Sequence, residues 1–251
     1  MKALLRGPDE SAAGAARNGY DIISTSPQTE GGSRVALVLF GPPGSGKGTQ
    51  AKLLRECLRV PHISTGDMLR DHIQAGDEIG LRVKELMHAG KLVSDELANQ
   101  LVEQRISRPD CERGFILDGY PRTIQQAGQM EDLLERRGYG QVVIHLQVDY
   151  NKIIARLTGR RQCPVCGTLY SLTSQPPQVE NVCDLDGSAL VIRDDDREEV
   201  IRERLEAYER QTRPVLEHFA ASGHAFYTVD ASDDPPAVIV HRICELIRIG
   251  R

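Results

Sequence analysis

Ten residues, Gly41 to Gln50, constrain the fold of this chain more than any other segment, and they read GPPGSGKGTQ. They follow a continuous apolar run over residues 35–40 and precede a segment, residues 51–59, whose apolar side chains have helical spacing. An uninterrupted apolar run of this length is typical of a strand that is buried on both faces of a parallel sheet. Strand, glycine-rich turn and helix in this order predict a loop whose backbone N–H groups hold phosphate at the positive end of the helix.

Short apolar segments alternate with helical patterns along the rest of the chain. The predicted strands lie near residues 35–40, 61–63, 115–117, 142–148 and 225–229. This alternation predicts an α/β fold, a doubly wound five-stranded parallel sheet with helices on both faces and ligands above the carboxyl ends of its strands. Residues 163–192, with two adjacent prolines and three cysteines, break the pattern and predict a small inserted β module.

Composition narrows the possible partners. The 251 residues are 40% apolar and 27% charged, which is ordinary for a globular protein. A formal net charge of −5 argues against a nucleic acid or an anionic membrane as partner. Because no apolar run approaches the roughly 20 residues of a membrane span, we expect a soluble, cytoplasmic protein. Residues 1–33, rich in Ala, Gly and Ser, are expected to form a disordered leader before a folded domain over 34–251.

Two motifs carry a family resemblance. In the glycine-rich loop Gly48 follows Lys47, and the hydroxyl of Thr49 comes one place later than in the generic phosphate loop, which resembles the nucleoside monophosphate kinases. Asp118, at the end of a predicted strand, opens the sequence DGYPR, which resembles the D-G-[FY]-P-R signature of adenylate kinases. Over about residues 35–235 the chain resembles an adenylate kinase of the long-lid type.

The resemblance implies a reversible, Mg²⁺-dependent transfer of a phosphoryl group from ATP to AMP that gives two ADP and serves adenine nucleotide homeostasis. The transfer would be direct and in line, so catalysis would consist of positioning and charge stabilisation. An insertion over residues 64–93 would close over AMP, and a lid over residues 159–196 would close over ATP. The family also implies a monomer. The residues implied in catalysis are Lys47, Asp118, Arg122, Arg156, Arg160, Arg193 and Arg204.

The resemblance also assigns the two nucleotide sites. The donor site for ATP would consist of Gly44, Ser45, Gly46, Lys47, Gly48, Thr49, Arg156, Arg160, Leu169 and Tyr170. The acceptor site for AMP would consist of Thr65, Arg70, Met87, Lys91, Leu92, Val93, Gly119, Tyr120, Pro121, Arg122, Gln126, Arg193 and Arg204. Gln126 has a second interpretation, because Thr123 to Gln126 is also a capping box, T-x-x-Q, at the start of a predicted helix. Asp196 and Glu199 are expected to cap a long helix over residues 196–221 in the same way.

The cysteines give an independent signal. Cys163, Cys166, Cys183 and Asp186 form the pattern C-x₂-C-x₁₆-C-x₂-D, the spacing of a four-ligand Zn²⁺ ribbon. A zinc ion there would be structural, holding together a module too small to have much core of its own. A disulfide and metal-free thiols are the alternatives. Cys57, Cys111 and Cys244 are expected to be core residues.

Three other functions stay open. Another nucleoside monophosphate kinase would act on UMP, CMP or GMP, although Thr65 resembles the adenylate kinases at this place. A GTP-using adenylate kinase is harder to separate, because the backbone near residues 231–233 that would hold the donor base departs from the family pattern. A zinc-ribbon module that binds ATP without turnover is the remaining alternative, although residues 163–192 contain acids and no lysine.

Overall fold

The structure, a computed structural model, describes residues 34–249, so the predicted leader over residues 1–33 lies outside the described residues. Nine α-helices and seven strands are present in this part of the chain. The strands are β1 Arg34–Phe40, β2 His62–Ser64, β3 Gly114–Asp118, β4 Tyr139–Gln147, β5 Arg160–Gln162, β6 Leu169–Ser171 and β7 Ala225–Asp230. The helices are α1 Lys47–Leu58, α2 Thr65–Ala75, α3 Glu78–His88, α4 Asp95–Ile106, α5 Ile124–Arg136, α6 Tyr150–Thr158, α7 Glu198–Ala207, α8 Arg213–Ala221 and α9 Pro236–Ile249.

Five strands form the predicted parallel sheet, in the order β2-β3-β1-β4-β7. β1 lies at the centre and pairs with both β3 and β4, so the loop after β1 and the end of β3 lie side by side. Leu39 of β1 is in register with Asp118, the last residue of β3. The topology therefore brings the glycine-rich loop and the DGYPR segment to one edge of the sheet.

Both faces of the sheet are covered, which explains why β1 is apolar at every position from Val35 to Phe40. Ala36, Val38 and Phe40 pack into one core cluster with side chains of α4, α5 and α8. Leu37 and Leu39 point to the opposite face and pack with α1 and α9. Alternation of side chains along a strand divides a continuous apolar run between two cores.

The helix predicted over residues 196–221 is present from Glu198 to Ala221 without a non-helical residue, but it is not α-helical throughout. α7 ends at Ala207, a π-helical turn covers Tyr208–Thr212, and α8 begins at Arg213. Pro214 lies in the first turn of α8 and has no N–H with which to continue an α-helical ladder. Asp196 lies in a separate 3₁₀ turn and does not cap α7, whose N-cap position is Arg197.

A small antiparallel sheet of β5 and β6 belongs to the predicted insertion. Cys163, Tyr170, Cys183 and Leu190 form its own small core. The other cysteines behave differently from one another: Cys111 is completely buried, whereas Cys57 of α1 and Cys244 of α9 are half-buried, with their sulfur atoms 3.4 Å apart. Within residues 34–249, no helix has both the length and the apolar character that a membrane crossing needs.

Candidate active site

A cavity of about 1200 Å³ opens above the carboxyl ends of β1 and β3. Its volume exceeds the usual range for a site that takes one small ligand, roughly 300–1000 Å³. All the residues predicted for the donor and acceptor sites line it, although they come from segments more than 150 residues apart. They are Gly44, Ser45, Gly46, Lys47, Gly48, Thr49, Thr65, Arg70, Met87, Lys91, Leu92, Val93, Asp118, Gly119, Tyr120, Pro121, Arg122, Gln126, Arg156, Arg160, Leu169, Tyr170, Arg193 and Arg204.

The glycine-rich loop has a backbone that glycine permits. Gly44 and Gly46 have φ values of +80° and +91°, and Gly46 is the N-cap of α1. A Cβ on Gly44 would also lie 2.9 Å from Cγ of Leu157, so a side chain there would be both strained and crowded. The loop leads directly into the first turn of α1, where free N–H groups and the helix dipole favour an anion.

Lys47 folds back over this loop. Its Nζ donates hydrogen bonds to the carbonyl oxygens of Gly41 at 2.8 Å and Pro42 at 2.9 Å. The pKa of Lys47 is lowered to about 8, mainly by burial; Asp118 opposes this shift, and the nearby Arg122, Arg204 and Arg160 add to it. The positive charge of Lys47 is therefore poorly neutralised by its neighbours, so an anionic group in the cavity would stabilise it.

Three arginines of the cavity, Arg122, Arg193 and Arg204, also have lowered pKa values. Burial is the main cause that lowers the pKa of Arg122 to about 10 and that of Arg193 to about 10, and their arginine neighbours add to it. Burial and the charge of Arg160 also lower the pKa of Arg204, while Asp195 opposes this. Because like charges gathered in a partly dry cavity repel one another, this cluster is suited to a ligand with several negative charges.

Two buried acids hold part of the cluster in place. The guanidinium of Arg160 donates from Nε to Oδ2 of Asp196 at 2.6 Å and forms a second hydrogen bond from Nη2 to Oδ1. Nη1 of Arg204 donates to the same Oδ1 at 3.1 Å and lies 3.1 Å from Oδ2 of Asp195. Asp196, which the sequence suggested as a helix cap, is instead an anchor for arginines, because its carboxylate is buried between them.

The acceptor side is organised by the DGYPR segment. Nε of Arg122 donates to the carbonyl of Gly119 at 2.7 Å, and the hydroxyl of Thr65 donates to the same oxygen at 2.9 Å. Arg70 forms an ion pair with Asp67 at 2.5 Å. Met87 and Val93 are half-buried and pack against an apolar cluster of α2, α3 and α4 that forms one wall of this side.

Half of the capping box at Gln126 is present. The hydroxyl of Thr123 accepts from the N–H of Gln126 at 3.1 Å, as an N-cap does. The return bond is displaced by one residue, because Oε1 of Gln126 accepts from the N–H of Arg122 at 2.7 Å and not from that of Thr123. Nε2 of Gln126 donates to Oδ1 of Asp95 at 2.7 Å. Gln126 therefore belongs both to the N-terminal cap of α5 and to the wall of the cavity.

The structure brings to the cavity several residues that sequence reasoning missed. Nη2 of Arg156 donates to the carbonyl oxygens of Ala231 at 2.8 Å and Ser232 at 2.9 Å, in the loop that follows β7. Residues 231–236 line the donor side of the cavity. Residues 231–233 were expected near the donor base, whereas residues 234–236 were not predicted. The position of this loop after the carboxyl end of a parallel strand was the signal that could have identified them. Asp95 and Asp195 had no comparable signal, because only the tertiary fold places them beside Gln126 and Arg204.

Asp118 lies on the wall of the cavity, beside the first turn of α1. It is 9% exposed, and its Oδ2 lies 3.4 Å from Nε2 of His62. A Cβ on Gly48 would approach this same Oδ2 to 3.5 Å, so the carboxylate faces the first turn of α1 directly. Thr49 lies one residue further along that turn and supplies a hydroxyl on the cavity wall. Carboxylate and hydroxyl oxygens are ligands suited to Mg²⁺.

The four residues of the C-x₂-C-x₁₆-C-x₂-D pattern meet in the insertion. Cys163, Cys166, Cys183 and Asp186 each offer one ligand atom, and these atoms all lie within 4.8 Å of one another. Both halves have the same turn: Gly167 and Gly187 have φ values of +69° and +74°, and their N–H groups donate to the carbonyls of Cys163 and Cys183. Among residues 34–249, this is the group of cysteine, histidine and acidic side chains that lie close enough together to hold one metal ion. Tyr170 lies beside them, with its hydroxyl 3.4 Å from Sγ of Cys183.

The fold and the cavity define a class of protein. A parallel sheet with a phosphate loop after its central strand, an acid at the end of the next strand and an arginine cluster above both define a P-loop phosphotransferase. The family model for adenylate kinase matches residues 39–224. The chain belongs to the adenylate kinase family.

Relatives from several organisms agree with this assignment. The chain is 46% identical over 204 residues to an adenylate kinase of Thermosipho melanesiensis, and the aligned segment covers 81% of this chain and 95% of that protein. It is 47% identical over 188 residues to an adenylate kinase of Caldanaerobacter subterraneus subsp. tengcongensis, covering 74% and 85%. It is 50% identical over 186 residues to an adenylate kinase of Methanocella arvoryzae, covering 73% and 85%. The chain is thus a phosphotransferase that converts ATP and AMP reversibly into two ADP.

Proposed function

We propose that this adenylate kinase binds ATP on residues 44–49 and AMP on the side formed by Thr65, residues 119–122 and Gln126. The observation that carries the assignment is the single cavity lined by both sets of residues. Two nucleotides bound there would meet with their phosphates over the arginine cluster and their bases at opposite ends. Direct transfer needs this arrangement, since the acceptor oxygen must approach the γ-phosphorus in line with the leaving oxygen.

The cationic side chains would stabilise the charge of the transferring group. Lys47 and Arg122 come from the phosphate loop and the DGYPR segment, whereas Arg160, Arg193 and Arg204 come from the two ends of the lid and from α7. Burial lowers the pKa of Lys47, Arg122 and Arg193, so a phosphate ligand beside them would stabilise their charged forms. Arginine suits this work because its planar fork holds two phosphate oxygens at once.

Mg²⁺ would be held with the ATP phosphates by Asp118 and Thr49. The buried position of the Asp118 carboxylate beside the first turn of α1 supports this assignment. When bound, the ion would neutralise developing charge on the phosphates. Asp118 would orient the ion and its water shell, while Lys47 and the loop N–H groups hold the phosphate oxygens.

Zn²⁺ is the metal that the cysteine cluster fits. Three thiolates and one carboxylate at mutual distances of less than 4.8 Å match a tetrahedral site, in which zinc–sulfur bonds are about 2.3 Å long. The N–H groups of Val165 and Cys166 point at Sγ of Cys163, each at 3.4 Å, and would stabilise its thiolate. With four protein ligands and no open position, the metal would hold the lid together and take no part in transfer.

Closure would complete the site. Residues 64–93 would move over AMP and residues 159–196 over ATP, which excludes water as a competing acceptor. In the present conformation the lid already reaches the core, since Nζ of Lys52 in α1 donates to the carbonyl of Gly167 at 3.4 Å. We further infer a cytoplasmic monomer whose partners are ATP and AMP, with neither nucleic acid nor membrane.

Phosphoryl transfer from Mg²⁺-bound ATP to a panel of AMP, GMP, CMP and UMP tests the assignment of the acceptor side. Fast ADP formation with AMP alone is the expected result. A second series with AMP as acceptor and GTP in place of ATP tests the donor side, where the loop after β7 departs from the family pattern. Preference for another acceptor would overturn the roles of Thr65 and Gln126, and preference for GTP would overturn the donor assignment.

A further inference from the structure

Gln126 is held from two sides by groups of opposite polarity. It is 2% exposed and lies in the first turn of α5, with its side chain on the cavity wall. Its Nε2 donates to Oδ1 of Asp95 at 2.7 Å, and its Oε1 accepts from the backbone N–H of Arg122 at 2.7 Å. Asp95 is the first residue of α4, so the contact joins two helices that are distant in sequence.

These two partners determine which way the amide faces. A carboxylate can only accept a hydrogen bond and a backbone N–H can only donate one. Rotating the amide by 180° would place Oε1 against Oδ1 of Asp95 and Nε2 against the N–H of Arg122. Both contacts would then be repulsive, and two buried polar groups would lose their partners. The observed orientation is therefore strongly preferred.

The amide has one donor and one acceptor left for a ligand. Nε2 carries two hydrogen atoms and Oε1 two lone pairs, and one of each is used internally. Adenine presents a donating 6-amino group beside an accepting N1, and the free edge of a fixed amide complements this pair. A 6-oxopurine such as hypoxanthine presents the reverse pair, an accepting O6 beside a donating N1. The same amide would complement the 6-oxopurine only after rotation.

We propose that Asp95 is a positioning residue for base specificity: it locks the Gln126 amide in the orientation that accepts AMP and rejects 6-oxopurine nucleotides. This inference rests on the acceptor site proposed above. Among residues 34–249 the cavity lining includes Gln126 and not Asp95, so Asp95 acts through Gln126. Asp95 is itself held, because its Oδ2 accepts from the hydroxyl of Thr123 at 2.9 Å.

The chain offers matched variants for the test. Asp95→Ala removes the acceptor for Nε2, whereas Asp95→Asn keeps an amide oxygen that can accept in its place. Glu96→Ala removes the neighbouring, exposed acid of the same helical turn and controls for the charge at the start of α4. Gln126→Ala removes the side-chain amide that would form hydrogen bonds with the base. Steady-state kcat and KM are measured for each with AMP and with inosine monophosphate, which differs from AMP only in the group at position 6 of the base and in the hydrogen on N1.

The measured quantity is the ratio of kcat/KM for AMP to that for inosine monophosphate. Loss of one buried hydrogen bond to a charged group should lower this ratio about tenfold in Asp95→Ala, mainly through a higher KM for AMP. Asp95→Asn and Glu96→Ala should keep the wild-type ratio. If Gln126→Ala lowers this ratio but Asp95→Ala leaves it unchanged, for example because both acceptors lose activity equally, the positioning role of Asp95 is wrong. An unchanged ratio in Gln126→Ala would instead show that the proposed acceptor site is wrong.

Discussion

Arg160 and Asp196 form a bidentate ion pair at the base of the lid, with Nε of the arginine 2.6 Å from Oδ2 of the carboxylate. Arg160 is the first residue of β5, and Asp196 lies in the 3₁₀ turn just before α7. The Asp196 side chain is 0% exposed, and Oδ1 also accepts from Arg204. A single buried carboxylate therefore fixes one arginine of the lid and one of α7 relative to each other.

Asp196→Asn should destabilise the empty enzyme. The substitution leaves the buried guanidiniums of Arg160 and Arg204 without their shared counter-charge, and breaking a buried ion pair costs about 3 kcal/mol of unfolding free energy. Urea unfolding of the nucleotide-free protein measures the effect. Asp194→Asn is the matched control, because Asp194 in the same turn is 73% exposed and pairs only with His88 among the ion pairs of residues 34–249. Equal midpoints for both variants would contradict the role given to Asp196.

Arg122→Ala should reduce phosphoryl transfer by about 10²–10³-fold while the fold remains intact. The side chain is a buried cation whose pKa is lowered to about 10 by its surroundings, so removing it relieves repulsion in the empty cavity. Unfolding free energy should therefore stay the same or rise. Steady-state rates and urea unfolding are compared with Arg213→Ala, which removes an arginine whose side chain is 66% exposed and pairs with Glu209. Activity close to wild type would exclude Arg122 from the transfer step.

Proton uptake should accompany ATP binding at pH 8.5. Burial holds the pKa of Lys47 at about 8 in the empty cavity, so at this pH a large part of the Lys47 population is neutral. The negative phosphates of ATP favour the charged form and raise this pKa, so binding draws a proton from the buffer. Titration calorimetry in two buffers of different protonation enthalpy measures the uptake. At pH 6.5, where Lys47 is already charged, its contribution should vanish.

Lys47→Met provides the control for this measurement. The variant lacks the titrating amine, so the difference in proton uptake between wild type and variant isolates the contribution of Lys47. The same uptake in both proteins at pH 8.5 would show that another group takes up the proton.

Cys163→Ser should lower the zinc content and the melting temperature more than it lowers activity in the cold. Cys163 is fully buried in the small lid core, which has few other apolar side chains to hold it. Loss of the metal should lower Tm by about 5–10 °C, as expected for a few kcal/mol in a chain of this size. Metal analysis and thermal melts are compared with Cys57→Ser, a cysteine outside the cluster. A stoichiometric zinc content with an unchanged melting curve would contradict the structural role of the site.

Local sequence patterns were sufficient for the parts of the site that lie within one segment. The phosphate loop could be recognised because strand, glycines, lysine and helix follow one another directly, between Arg34 and Leu58. The zinc pattern could be recognised because each ligand pair forms its own turn, ended by Gly167 or Gly187. The long helix predicted through Pro214 is present, but its π-helical turn was not predicted, since helical spacing of apolar residues does not reveal where the α-helical hydrogen bonds are interrupted.

The sequence by itself determined the succession of strands and helices along the chain and the class of chemistry, because these depend on neighbouring residues and short motifs. Only the tertiary structure decided the partners of those side chains. It placed Asp196 between Arg160 and Arg204, and it placed Asp95 behind Gln126. Such contacts depend on the order of the strands in the sheet and on which buried polar groups lie close enough to pair. Spacing along the chain predicts neither of these.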